Sequence, residues 1–228
     1  MPEDIELALP ESGRKPMLPA HPLPGDRGEG KADQFSDYRA QNPTVYGITA
    51  APQTPMRAVA QFDDHQALLL TWTGNFPDVY AGIVKAASPV VDVYVVHQGS
   101  SLKTSFQQAL AQYGVSTAGL TFLNLNSDSI WMRDYGPLSV RSPAGDVAFV
   151  DPRYYNERVY DDAIPTKLQP TFGLNVYRQP LKWEGGTFVA DGRGNCFHSQ
   201  GVLWYGGTDE ARIDTYMHDY IGCETRTV

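Results

Sequence analysis

The rhythm of apolar positions changes at about Met56. Before it, Pro2, Pro10, Pro16, Pro19, Pro22 and Pro24 punctuate the chain, with Gly13, Gly25, Gly28 and Gly30 between them. The few apolar residues there keep no period, which predicts a largely disordered tail over residues 1–55 with a loosely docked end near Tyr46. After it, short apolar runs alternate with helix-spaced segments. Ala67 to Trp72 reads as a buried strand, and Asp78 to Ala87 as a helix with Val79, Ile83 and Ala86/Ala87 on one face. Val90 to Val96 is β-branched and strand-like. Leu102, Phe106, Ala109, Leu110 and Tyr113 fall at helix spacing, with Gly114 as a stop signal. Leu120 to Leu125 is the next strand.

The second half reads differently. Pro137–Val140 and Asp146–Val150 form a predicted hairpin around Pro143-Ala144-Gly145. Residues 151–170 read as a polar loop with one short helix, followed by a strand over Asn175–Gln179. Gly186–Ala190 and Asn195–Ser199 form a second hairpin around Asp191-Gly192-Arg193-Gly194. Thr208 is placed to cap a helix running to Ile221, with Ile213, Tyr216, Met217, Tyr220 and Ile221 on one face and Gly222 ending it. The expected class is α/β, with a loose repeat of paired strands, helix and strand.

Composition narrows the function classes. With 228 residues, 42% hydrophobic and 19% charged, the chain can bury a sizeable core. A net charge of −8 argues against nucleic acid as the main partner, because phosphate binding needs a basic stripe. No apolar run approaches the length of a membrane span, and no signal peptide is visible, so a cytoplasmic location is expected. Cys196 and Cys223 are too few for a disulfide scaffold or a zinc site. Cys196 is expected to pack as a small hydrophobe. His198 shares a strand face with Cys196 and reads as structural; His97 and His65 have no partner that the sequence names, and His218 is expected to be exposed on the last helix. The Asp63-Asp64-His65 cluster reads more simply as a solvated turn than as a metal site.

Two motifs carry chemistry. Trp131-Met132-Arg133-Asp134-Tyr135-Gly136-Pro137 leaves a predicted strand, where open α/β sites usually lie. Asp134 can accept two parallel hydrogen bonds from a guanidinium fork, and Trp131 can stack on the same planar cation. The plainer alternative is a loop with an internal Arg133–Asp134 pair. Trp183-Glu184-Gly185-Gly186 places two glycines after a carboxylate, which lets another group approach the backbone closely. Its plainer alternative is a tight bend at a strand start.

Taken together, these motifs resemble the bacterial peptidyl-arginine deiminase / agmatine deiminase family. Asp191-Gly192, Phe149-Val150-Asp151, Tyr155-Asn156-Glu157-Arg158 and Asp161-Asp162 add to the match, which runs from about Met56 onward. The resemblance implies a pentein-type α/β-propeller of ββαβ-like units, here roughly the first three of five, so that residues 56–228 would be a C-terminally truncated deiminase catalytic domain. It implies hydrolysis of a guanidino group with release of ammonia, converting peptidyl-arginine to peptidyl-citrulline or agmatine to N-carbamoylputrescine, without cofactor or metal. By the same resemblance Asp134 would grip the guanidinium, Trp131 would line its pocket and Glu184 would tune a catalytic histidine. Arg158 would meet a substrate carboxylate, with Arg153 competing for that role and Asn156 beside it. The expected partner is a small molecule or peptide bearing a guanidinium.

The family's Gly-His-x-Asp stretch and its late nucleophilic cysteine have no counterpart in these 228 residues, and neither Cys196 nor Cys223 has an activating neighbour in sequence. Little turnover is therefore expected of this chain alone. A fragment, a chain completed by another, and a degenerate relative that binds without catalysis all fit the residues. The alternative function is a non-catalytic module that holds an arginine-like ligand.

Overall fold

The computed structural model describes residues 36–202 and 210–228. The strands form three sheets. The first holds strands β2 (Ala67–Trp72), β3 (Asp92–His97) and β4 (Thr121–Asn124), all parallel. Helices α3 (Pro77–Ala87) and α4 (Gly99–Gln112) make its crossovers. Parallel strands must be joined by such crossovers, and their cover makes the middles of the strands apolar. Trp72, Tyr80 and Phe106 meet edge to face at 5.1–5.9 Å in its core.

The buried face of α3 is not the expected one. Tyr80, Ala81 and Val84 are buried, while Val79 and Ile83 face outward. Two i, i+4 stripes lie side by side on this helix, at 79/83 and 80/84. The one carrying the large ring turns inward, where the Tyr80 hydroxyl also donates to the Thr71 carbonyl. On α4, Phe106 and Leu110 are fully buried and Tyr113 is exposed.

The second sheet has the order β1 (Arg57–Ala58), β5 (Leu138–Arg141), β6 (Val147–Arg153), β7 (Asn175–Lys182). β5 and β6 form the expected hairpin, and β6 pairs with β7 in parallel. Between β6 and β7 the expected polar loop folds into two helices, α6 (Val159–Lys167) and α7 (Gln169–Phe172). Asp161 and Asp162 of α6 are buried, so the polar look of this stretch misstates its location.

The third sheet repeats the second: hairpin β8 (Phe188–Ala190) and β9 (Asn195–His198), helix α8 (Glu210–Ile221), and strand β10 (Thr225–Thr227) parallel to β9. Ile213, Met217, Tyr220 and Ile221 bury the expected face of α8. Its expected cap, Thr208, lies outside the described residues. Gly222 ends the helix at φ +69°, and any Cβ there would collide with the Met56 carbonyl.

One further expectation is corrected. Cys196 and Cys223 form a disulfide, with α-carbons 5.7 Å apart, rather than standing free. Their separation of 27 residues concealed this, because proximity comes from β10 returning beside β9 after the Gly222 turn. Within the segment expected as a tail, residues 36–55 pack on the second sheet. Helices α1 (Ser36–Gln41) and α2 (Pro43–Tyr46) precede a strip in which the Thr49 amide donates to the Arg178 carbonyl at 3.2 Å. Residues 1–35 lie outside the described residues.

Candidate active site

The loop after β4 is fixed before it reaches its functional residues. Asp161 accepts the amide N–H groups of Asp128 at 2.7 Å and Ser129 at 3.2 Å, and the Ser129 hydroxyl at 2.6 Å. Asp128 in return accepts the amides of Tyr160 and Asp161, satisfying donors at the start of α6. The one-turn helix α5 (Met132–Tyr135) follows, with Met132 and Tyr135 buried between the first two sheets. Tyr135 shares its hydroxyl with Thr71 at 2.6 Å and donates to the Ser129 carbonyl at 3.0 Å. With positions 132 and 135 turned to the core, Asp134 is left half-buried at its margin.

The Trp-Glu-Gly-Gly motif packs directly on this turn. A Cβ on Gly185 would overlap the Arg133 carbonyl, and one on Gly186 would overlap Asp134 Oδ1. The bare α-carbons let the two motifs meet, with the Gly186 backbone beside the Asp134 carboxylate. Burial raises the Asp134 pKa to about 6, the nearby charge of Glu184 adds to the rise, and the Gly186 amide, Arg133 and Arg158 oppose it.

Glu184 is 9% exposed and accepts a hydrogen bond from the Tyr155 hydroxyl. Arg158 donates to the Tyr154 hydroxyl at 3.2 Å and lies over the Tyr154 and Tyr155 rings at 5.9 and 5.4 Å. The Lys182 ammonium sits 5.1 Å from the centre of the Tyr155 ring, and burial lowers its pKa. Tyr154, Tyr155, Lys182, Trp183 and Glu184 together line a crevice too tight to admit a water molecule.

The expected residues are distributed as follows. Asp134 and Glu184 are brought together, and Arg158 reaches the same cluster. Trp131 is half-buried against the core group that contains Tyr154 and Tyr155, and does not line the crevice. Its indole nitrogen has no hydrogen-bond partner among the described residues. Asn156 offers its backbone carbonyl to Arg39 at 2.7 Å. Arg153 is half-buried, and its carbonyl accepts the Trp183 amide at 3.1 Å.

Sequence reasoning assigned no role to Tyr154, Lys182 or Arg39. Tyr155 was visible only as the first residue of a Tyr-Asn-Glu-Arg run. No periodicity could flag Arg39, more than 100 residues away. Beneath the site lies a buried ionic lattice: Arg178 reaches Asp151 at 2.7 Å and Asp162 at 2.8 Å, and Arg39 reaches Asp162 at 3.1 Å. His198 lies 2.9 Å from an Arg226 guanidinium nitrogen, and the His97 ring is 2.9 Å from the Gly99 carbonyl. Asp63 accepts the Ala60 amide. Among the described residues, neither it nor any other set of three or more His, Cys, Asp or Glu side chains gathers as for a metal.

The three sheets define a pentein-type α/β fold, the fold of solved agmatine deiminases. The closer affiliation follows from the sequence match over residues 57–227: the chain belongs to the Porphyromonas-type peptidyl-arginine deiminase family. Two curated relatives, each named "Putative agmatine deiminase", come from Photobacterium profundum (26% identical; 68% of this chain, 46% of the relative) and Pectobacterium atrosepticum (22% identical; 78% and 53%). The solved agmatine deiminase of Enterococcus faecalis superposes with a TM-score of 0.68 at 20% identity, covering 78% of this chain and 54% of that one. The chain spans about half the length of the curated relatives it matches.

Proposed function

We propose that this chain forms the guanidinium-gripping part of a deiminase acting on agmatine or arginine, free or at a peptide terminus. The observation that carries this reading is the meeting of Asp134 and Glu184, from two separate motifs, beside Arg158. Two carboxylates in a poorly solvated site hold a delocalised cation through charge-assisted hydrogen bonds, worth roughly 1.5–3 kcal/mol each. Arg158 supplies a positive group for a ligand carboxylate, which tilts the substrate toward arginine over agmatine.

In the deiminase reaction a thiolate adds to the guanidino carbon, a proton shifts to the leaving nitrogen, and ammonia departs. Water then adds to the thiouronium carbon, and the ureido product leaves with the thiolate restored. Cys196 and Cys223 are joined to each other, and in this reading neither cysteine of this chain is the nucleophile while that bond stands. Calorimetry with arginine, agmatine and an arginine-ending peptide tests the grip. Saturable binding that Asp134→Asn abolishes supports it; equal binding by that variant refutes it. Ammonia release is expected from a form that also carries the downstream Gly-His-x-Asp and cysteine segments, and not from this chain alone.

The disulfide favours a second reading, a binding module without chemistry, since it removes both thiols of the chain. Binding unaccompanied by ammonia release in the longer form would select it. The disulfide also favours an oxidising compartment over the cytoplasm. No helix among the described residues is long and apolar enough to cross a membrane.

A further inference from the structure

The loop that carries Tyr154, Tyr155 and Arg158 is held from outside the matched family region. Arg39 on α1 donates through Nη1 to the Asn156 carbonyl at 2.7 Å and through Nη2 to the Tyr155 carbonyl at 3.0 Å. The same guanidinium binds Asp162 Oδ2 through Nε and Nη2 at 3.2 and 3.1 Å. Asp162 Oδ1 in turn accepts the Tyr154 amide at 2.5 Å. Three successive residues of the loop are thus fixed by one side chain, two directly and one through Asp162. Arg39 is 12% exposed, so water competes little for these bonds.

The segment that presents Arg39 is itself anchored. The Tyr46 hydroxyl donates to the Val159 carbonyl at 2.8 Å, and the Tyr46 carbonyl accepts Arg178 Nε at 3.0 Å. The Arg39 guanidinium lies 5.4 Å from the centre of the Tyr46 ring. On its far side the loop directs the Tyr155 hydroxyl to Glu184 and the Arg158 guanidinium onto both tyrosine rings.

We propose that residues 36–46 act as a strap whose Arg39 positions the Tyr154–Arg158 loop, and thereby sets both the Glu184 carboxylate and the selectivity of the site for guanidino ligands that also bear a carboxylate. The selectivity part rests on the functional reading above; the positioning part does not. Arg39 acts through the loop and does not touch ligand. A lysine cannot replace it, because one ammonium cannot span two carbonyls and a carboxylate in the planar geometry of the fork.

The test compares the full 228-residue chain with Arg39→Ala and Arg39→Lys. Amide hydrogen exchange at residues 154–158 is expected to speed up at least tenfold in Arg39→Ala, and nearly as much in Arg39→Lys, with β2, β3 and β4 unchanged. Calorimetry is expected to show arginine affinity falling at least fivefold more than agmatine affinity. Unchanged exchange at 154–158 in a folded variant overturns the strap. Faster exchange with an unaltered arginine-to-agmatine ratio overturns its part in selectivity. Should Arg39→Ala not fold, Arg39→Lys carries the same two readouts. If the unsubstituted chain binds neither ligand, the guanidinium reading fails, while the exchange result still decides whether the strap positions the loop.

Discussion

The Asp134 carboxylate lies against the α-carbon of Gly186, in the space a side chain would take at any other residue. This contact joins the two motifs, and it makes the glycine a requirement of the site. Gly186→Ala must push the Asp134 side chain away from the Gly186 amide. Because Asp134 is a side chain at the margin of the core, the variant is expected to fold. Calorimetry should show guanidinium binding weakened at least tenfold, with a melting temperature within a few degrees of the parent.

Asp134 also couples function to pH. Its folded pKa of about 6 lies above its ordinary value because burial and Glu184 disfavour the charge. Between about pH 4 and 6 the folded state therefore holds a proton that the unfolded chain has released, so this group's contribution to stability is lost as pH rises through that window. The cation needs the ionised form. Agmatine or arginine affinity should thus rise about tenfold per pH unit up to pH 6 and then level off, while stability moves the opposite way. Asp134→Asn should abolish the binding and, above pH 6, raise unfolding free energy by at most ~1 kcal/mol, given partial solvent screening. Calorimetric titrations and urea melts at pH 5 and 7.5 read both effects.

Arg178 is the centre of the buried ionic lattice, bonded to Asp151 and Asp162. Removing it leaves Asp151 without its ion-pair partner and with a second oxygen that already has no hydrogen-bond partner. Breaking a buried pair from one side typically costs about 3–5 kcal/mol. Arg178→Met is expected to lower the urea midpoint by a corresponding amount, or to leave the second sheet unfolded by circular dichroism at 25 °C.

The Cys196–Cys223 bond closes a loop between β9 and the residue after Gly222, in the third sheet. Loop-closure entropy for a crosslink of this span corresponds to ~3 kcal/mol. Reduction, or the paired substitution Cys196→Ala with Cys223→Ala, should lower the melting temperature by several degrees. Neither cysteine is among the residues that surround Asp134, so affinity for guanidino ligands measured well below the melting range should be unchanged.

Much of the molecule is legible from local pattern. The β2 strand, the two hairpins and the core face of α8 follow from alternation, helix spacing and turn residues, because each is specified by neighbours in the chain. The family resemblance of the two motifs implied that Asp134 and Glu184 belong to one site. Where two local readings were equally good, packing chose between them: on α3 the Tyr80 stripe went inward over Val79 and Ile83. Three features were decided only by the tertiary structure: the disulfide, the burial of Asp161 and Asp162 in a stretch that reads as polar loop, and the grip of Arg39 on the Tyr155 loop. Each joins positions through space, or depends on a charge neutralised by a distant partner. A one-dimensional pattern records which residues can bury or turn; it does not record which cation, many residues away, makes a buried carboxylate tolerable.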